Sequence, residues 1–169
     1  MNTANESDTT MISASRLSSG FCRCLLWLAL LVSAMPAAAE GFTGLRDMSG
    51  KTHALADYRG KWVVVNYWAT WCPPCLEEIP DLIALHEQRK DVVVIGVALD
   101  FENAKEVARF VDDNLMSYPV VLGNDKIVAQ IGPASVLPTT FVFNPAGQLV
   151  KTRRGLVTRK FLEKVISGQ

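Results

Sequence analysis

Cys72 and Cys75 stand two residues apart in Trp71-Cys72-Pro73-Pro74-Cys75, directly after an apolar run and directly before a stretch with helical spacing. Two intervening residues let the sulfurs bond across one helical turn, so the pair can cycle between dithiol and disulfide. At a helix N-terminus, unpaired N–H groups and the positive end of the dipole favour the thiolate, the nucleophilic form. Cys72 is therefore expected to attack first, and Cys75, one turn inside and more buried, to attack second. Pro73 and Pro74 suit the first turn of a helix but remove two N–H donors that would hold the Cys72 thiolate. Weaker thiolate stabilisation makes a less oxidising disulfide, roughly 100 mV or more below the strong oxidants of this chemistry, and points to reduction of substrates. An oxidase or isomerase would keep the same residues and differ only in potential, so that direction stays open.

Two other uses of the pair fit less well. A zinc site needs about four ligands, and beyond these cysteines the sequence offers only His53 and His86, with no second cysteine pair after the leader; no metal and no cofactor are expected. A purely structural disulfide across two residues would constrain very little chain.

Glu78 lies three residues after Cys75 and shares its helix face. Desolvated, its carboxyl would have a raised pKa and could take the Cys75 proton when a mixed disulfide is resolved. The alternative is an acidic residue that simply favours the N-terminal half of a helix. Pro80, inside the same helix, is expected to kink it, because its ring blocks the bond to the Leu76 carbonyl.

The surrounding pattern supplies elements to position these groups. Residues 62–68 (WVVVNYW) and 92–99 (VVVIGVAL) are nearly continuous β-branched and apolar runs, as strands buried on both faces should be. Between them, residues 75–89 carry Leu76, Ile79, Leu82, Ile83 and Leu85 near helical spacing, giving a strand, helix, strand unit. Residues 103–114 place Val107, Phe110 and Val111 on one helical face, with Asn103 as cap. Residues 118–122 read as a short strand, residues 139–144 and 148–153 as two strands joined by the turn Asn144-Pro145-Ala146-Gly147, and residues 158–166 as a closing helix. Residues 42–55, with Ser49-Gly50 at their middle, read as an N-terminal hairpin. One α/β sandwich accounts for all of this.

With Asn66-Tyr67-Trp68-Ala69-Thr70-Trp71-Cys72-Pro73-Pro74-Cys75, then Glu78 and Pro80, the chain resembles the TlpA/ResA-like thiol-disulfide oxidoreductases of the thioredoxin superfamily. The resemblance runs over about residues 42–166 and is reinforced by Gly96-Val97 with Asp100, by Tyr118-Pro119-Val120 and by Leu137-Pro138-Thr139-Thr140-Phe141. It implies a thioredoxin-like fold, a central mixed sheet flanked by helices with an N-terminal β-hairpin. Glu78 matches the glutamate of the motif C-x-x-C-x-x-E-x-P, which is implicated in thiol acid-base chemistry, and Pro138 matches the superfamily's cis-proline. The loop of Leu137 and Pro138 would then face the cysteine pair and take an extended client segment by strand addition. Trp71 is expected at the surface as an apolar landing site and Trp68 in the core, while His86 reads as a solvated side chain. Where thioredoxin has a buried aspartate before the motif, this chain has Asn66, which leaves Glu78 as the buried acid-base group. A peroxiredoxin would have Pro-x-x-x-Thr where this chain has Val65 and Ala69. A copper-delivery protein of the same fold would carry a histidine near the cis-proline loop, and none follows His86.

The whole chain has 169 residues, 49% of them apolar, and carries 17 basic against 17 acidic side chains. That suits one globular domain, and a formal charge of zero gives no footprint for nucleic-acid binding. The first 39 residues read as a secretory signal peptide: Arg16 and Arg23 precede the apolar residues 25–32, and Ala37 and Ala39 fit a cleavage pocket. Acidic Glu6 and Asp8 are foreign to such a leader, so Met11 is a candidate start. An uncleaved anchor is the alternative, although residues 25–39 are short for a bilayer. Cleavage near Ala39 would discard Cys22 and Cys24, leave residues 40–169 as the thioredoxin-like domain, and deliver it to the periplasm, where disulfides persist. A reductase there needs electrons from a membrane thiol donor, and its clients are proteins with disulfides or thiols; the resemblance adds apocytochrome c with C-x-x-C-H haem sites. From Val150 onward six basic residues accompany one acidic residue, Glu163. They protect an edge strand and helix from aggregation, or else form a surface for an acidic partner or membrane.

Overall fold

The computed structural model describes residues 41–168. The leader read over residues 1–39, its two cysteines and its cleavage point lie outside these residues.

The described residues open with the hairpin β1 (Leu45–Arg46) and β2 (Thr52–His53), in which Leu45 faces His53 across antiparallel strands. A 3-10 turn, Leu55–Tyr58, leads into β3 (Trp62–Trp68), α1 (Pro73–Gln88), β4 (Val92–Ala98) and α2 (Ala104–Asp113). Then follow β5 (Val120–Leu122), α3 (Asp125–Ile131), β6 (Thr139–Phe143), β7 (Leu149–Arg154) and α4 (Arg159–Ser167). The five-stranded sheet runs β5-β4-β3-β6-β7. β3, β4 and β5 are parallel, whereas β6 and β7 run antiparallel to them, giving the expected mixed sheet.

Strand alternation sorts β3 onto two cores. Val64 and Trp68 join Cys72, Cys75, Ile79, Leu82 and Leu85 of the α1 segment, Val107 of α2 and Leu162 and Ile166 of α4. Val63, Val65 and Tyr67 join Phe42, Leu45 and Leu55 of the N-terminal segment with Ile131 of α3, Phe141 and Phe143. Each fully buried aliphatic side chain contributes roughly 1.5–3 kcal/mol, so burial on both faces is what makes β3 and β4 unbroken apolar runs. Gly96 of β4 lies opposite Asn66 and has no side chain for a reason: a Cβ there would come within 2.9 Å of the Trp68 indole nitrogen and 3.0 Å of the Tyr118 ring.

Asn103, Asn124 and Thr158 cap α2, α3 and α4 through their side-chain oxygens. The helix assignment of α1 is continuous through Pro80 and starts at Pro73, two residues ahead of the apolar stripe that marks it in sequence. The sequence reading does not contain α3 or the 3-10 turn. It also misplaces His86, which is half-buried: its Nδ1 accepts the Val94 N–H at 3.2 Å, and its ring stands edge-on to Tyr118. Burial lowers the His86 pKa. The physical reason is the shortness of β5, whose pairing with β4 covers only Gly96 to Ala98, so the Val94 amide takes its partner from a side chain.

Candidate active site

Cys72 is the N-cap of α1, with extended backbone angles, and Pro73 and Pro74 occupy the first two helical positions. Its carbonyl accepts the amides of Cys75 at 3.0 Å and Leu76 at 3.3 Å. The two prolines carry no N–H, so the first turn lacks the two donors that would otherwise approach the Cys72 sulfur. Cys72 and Cys75 form a disulfide with their Cα atoms 5.3 Å apart. Both are buried, Cys72 at 2% exposure and Cys75 fully, so burial alone does not rank them as sharply as the sequence suggests.

Glu78 is 1% exposed and sits one turn beyond Cys75. Its Oε1 accepts from Asn66 Nδ2 at 2.6 Å, and its Oε2 accepts the Val157 backbone N–H at 2.8 Å. Asn66 Nδ2 also donates to Thr140 Oγ1 at 3.1 Å, which fixes the amide across β3 and β6. Both donors to Glu78 are neutral. Burial therefore outweighs them and pushes the carboxyl up to about 7. A group with that pKa exchanges protons readily at neutral pH. Burial, with the negative charge of Glu78 behind it, also raises the phenol of Tyr118.

Trp71 is 60% exposed and Trp68 fully buried, as the sequence reading expects. The Trp71 Nε1–H donates to the Asp100 carbonyl at 3.0 Å. Trp71, Leu99, Asp100, Ala134, Ser135, Val136 and Leu137 enclose a groove of about 340 Å³. The Leu137-Pro138 peptide is cis. Pro138 is buried, and its carbonyl accepts the Gly155 N–H at 2.8 Å, while Thr139 Oγ1 donates to the Val136 carbonyl at 2.7 Å. Trp71, the residue before Cys72, and Leu137 thus share one groove, and Pro138 continues the loop, residues 134–137, that lines its other side.

The basic C-terminal residues split. Arg159 pairs with Glu163 and reaches Gln88, whereas all six residues of β7 are exposed on the sheet edge. Among the described residues no group of three or more His, Cys, Asp and Glu side chains comes together to hold a metal ion. The sequence reading does not contain Val157 and the Asn66 amide as the donors to Glu78; these partners lie 79 and 12 residues away, beyond any local spacing rule.

The sequence profile of the AhpC/TSA family matches residues 36–152. The thiol-disulfide oxidoreductase ResA of Bacillus subtilis (strain 168) is 37% identical over 119 residues, 70% of this chain and 66% of that protein, so the chain spans about two thirds of that relative. Among solved structures, a thiol:disulfide interchange protein of the thioredoxin family from Chlorobium tepidum TLS superposes with a TM-score of 0.68 at 26% identity, covering 80% of this chain and 97% of that one. A secreted thiol-disulfide isomerase from Corynebacterium glutamicum superposes with a TM-score of 0.64 at 30% identity, covering 69% and 74% of the two chains.

Proposed function

The chain belongs to the AhpC/TSA family as a thiol-disulfide oxidoreductase of the ResA and thioredoxin type, and from that premise we propose that it is an exported reductase of protein disulfides. The observation that carries the direction is the pair of prolines at the first two positions of α1, which leaves the Cys72 thiolate short of donors. Export is supported by the leader pattern of residues 1–39 and by the secreted Corynebacterium glutamicum neighbour. Residues 40–169 form the working domain, and the periplasm is its compartment.

In the reduced protein, the Cys72 thiolate attacks one sulfur of a client disulfide. A Cys72–client disulfide forms and the second client sulfur leaves as a thiolate. Glu78 takes the Cys75 proton, and the Cys75 thiolate attacks Cys72 Sγ. The Cys72–Cys75 disulfide forms, the mixed disulfide breaks, and the proton held by Glu78 passes to the departing client thiolate. Two electrons have moved from the dithiol to the client, and a membrane thiol donor returns them. The groove of Trp71 and Leu137 receives the extended client segment, with Pro138 shaping the loop that pairs with it. Clients are proteins with disulfides or thiols, with C-x-x-C-H haem sites the most specific class.

The test is the reduction potential of the Cys72/Cys75 pair, equilibrated against glutathione and dithiothreitol buffers. A value near that of thioredoxin, about −270 mV, is expected; one near about −120 mV would make the protein an oxidase and overturn the argument from the prolines.

A further inference from the structure

Glu106 lies outside the redox motif, on the first turn of α2, yet its carboxylate reaches back to the segment that presents Cys72. Its Oε1 accepts the Thr70 hydroxyl and its Oε2 accepts the Glu102 N–H at 2.9 Å. Helix capping accounts for the backbone half of this, since Asn103 Oδ1 accepts the Lys105 and Glu106 amides while the Glu106 carboxylate reaches back to the amides ahead of the helix, but it does not account for the bond to Thr70. The carboxylate thus joins two loops. Thr70 and Trp71 are the central residues of a turn closed by the Cys72 N–H on the Ala69 carbonyl at 3.2 Å. Glu102 belongs to the segment that follows β4, whose Leu99 and Asp100 line the groove. The same two segments are joined a second time by the Trp71 indole on the Asp100 carbonyl. Asp100 turns that carbonyl toward Trp71 from a left-handed conformation, φ 52°, which few residues other than glycine, asparagine and aspartate adopt.

We propose that Glu106 is a positioning residue for client binding: by tying Thr70 to Glu102 it holds the Trp71 turn against the Leu99–Asn103 segment and so fixes one wall of the client groove. This rests on the reading of that groove as the client site. Glu106 touches neither sulfur nor client, so its loss acts on the fit of the client far more than on the exchange chemistry.

The experiment is single-turnover reduction of a synthetic peptide carrying an oxidised C-x-x-C-H disulfide, with the prereduced protein and its variants at increasing peptide concentration. E106A is expected to raise the half-saturating peptide concentration about tenfold while the limiting rate stays within about twofold. T70V, a change of similar shape at the half-buried other end of the bond, is expected to raise it severalfold, and T70V/E106A to be no worse than E106A alone, since the two residues act through one contact. E106Q, which keeps one acceptor oxygen, falls between E106A and the unaltered protein. W71A is run beside them. If W71A weakens peptide binding and neither T70V nor E106A does, the positioning role is overturned and the groove stands. If W71A has no effect either, the client groove itself is misassigned and the role of Glu106 falls with it. Thermal unfolding that drops in E106A with both kinetic constants unchanged would reduce Glu106 to a structural tie and overturn the proposal.

Discussion

Glu78 and Asp47 are both buried carboxylates, and the molecule treats them in opposite ways. Burial acts to raise both. At Asp47 it is outweighed, because His53 Nε2 stands 2.8 Å from Oδ2 while Ser49 Oγ and the Lys51 N–H donate to Oδ1, and the carboxyl ends below its usual range. His53 is in turn fully buried and joined through Nδ1 to the Tyr58 hydroxyl, so that cluster ties the N-terminal hairpin to the 3-10 turn. Glu78 receives only two neutral donors and ends at about 7. A buried acid with a dense set of donors and a basic ring becomes a fixed structural charge, whereas one left with neutral donors becomes a proton store. The store lies one helical turn from Cys75, and the fixed charge lies in the hairpin.

The largest expected effect separates the two through the pH dependence of stability. The folded pKa of Glu78 is raised above its ordinary 4.5, so its contribution is full below pH 4.5 and is lost as pH rises through about 7. That loss amounts to on the order of 3 kcal/mol, and E78Q should abolish it in urea unfolding across that window. Asp47 has the reverse sign: its folded pKa is depressed, so its contribution is present above about 3.8 and disappears as pH falls below that. D47N should flatten only this acid limb, and a flat profile for the unaltered protein near pH 6 would break the comparison.

Next in size is turnover. E78Q should slow release of client from the Cys72 mixed disulfide by about 100-fold and remove a rate midpoint near pH 7. D47N should leave both the rate and the midpoint where they are, which stopped-flow measurement at several pH values would show. A smaller change follows from N66A, which removes the 2.6 Å donor to Glu78. Losing a hydrogen bond to the charged form should move the rate midpoint upward by about 1 on the pH scale. The smallest effect is at His86, whose neutral ring accepts the Val94 amide. H86A should cost about 1 kcal/mol near pH 7.5. Because burial depresses the folded pKa of His86, the contribution is present above 6.5, is lost as pH falls through the folded value, and the difference from H86A shrinks on acidification.

Much of this architecture is legible in local pattern, and what is not legible shares a physical cause. β3 and β4 announce themselves because burial on both faces demands unbroken apolar runs, and α1, α2 and α4 because each has one apolar face and, for α2 and α4, a capping side chain. α3 escapes notice at only seven residues, although Asn124 before it and Gly132 after it are the usual boundary signals. At the site, the Cys72/Cys75 spacing and the placement of Glu78 on the Cys75 face can be read directly. What makes Glu78 a proton store cannot, since its donors arrive from β3 and from Val157 after β7. The contrast with Asp47 is hidden for the same reason, because the His53 that offsets its burial meets it only once the hairpin has folded.

The central claim is that the buried Glu78 carboxyl, one helical turn from Cys75, titrates near neutral pH and so can both take up and give back a proton there. Its most direct test is titration of the Glu78 side-chain carboxyl by carbon-13 NMR in the oxidised domain, with E78Q used to assign the resonance. The account predicts a midpoint near 7. A midpoint near the ordinary 4.5 would leave the carboxylate too weak a base to take and hold the Cys75 proton, and would contradict that role.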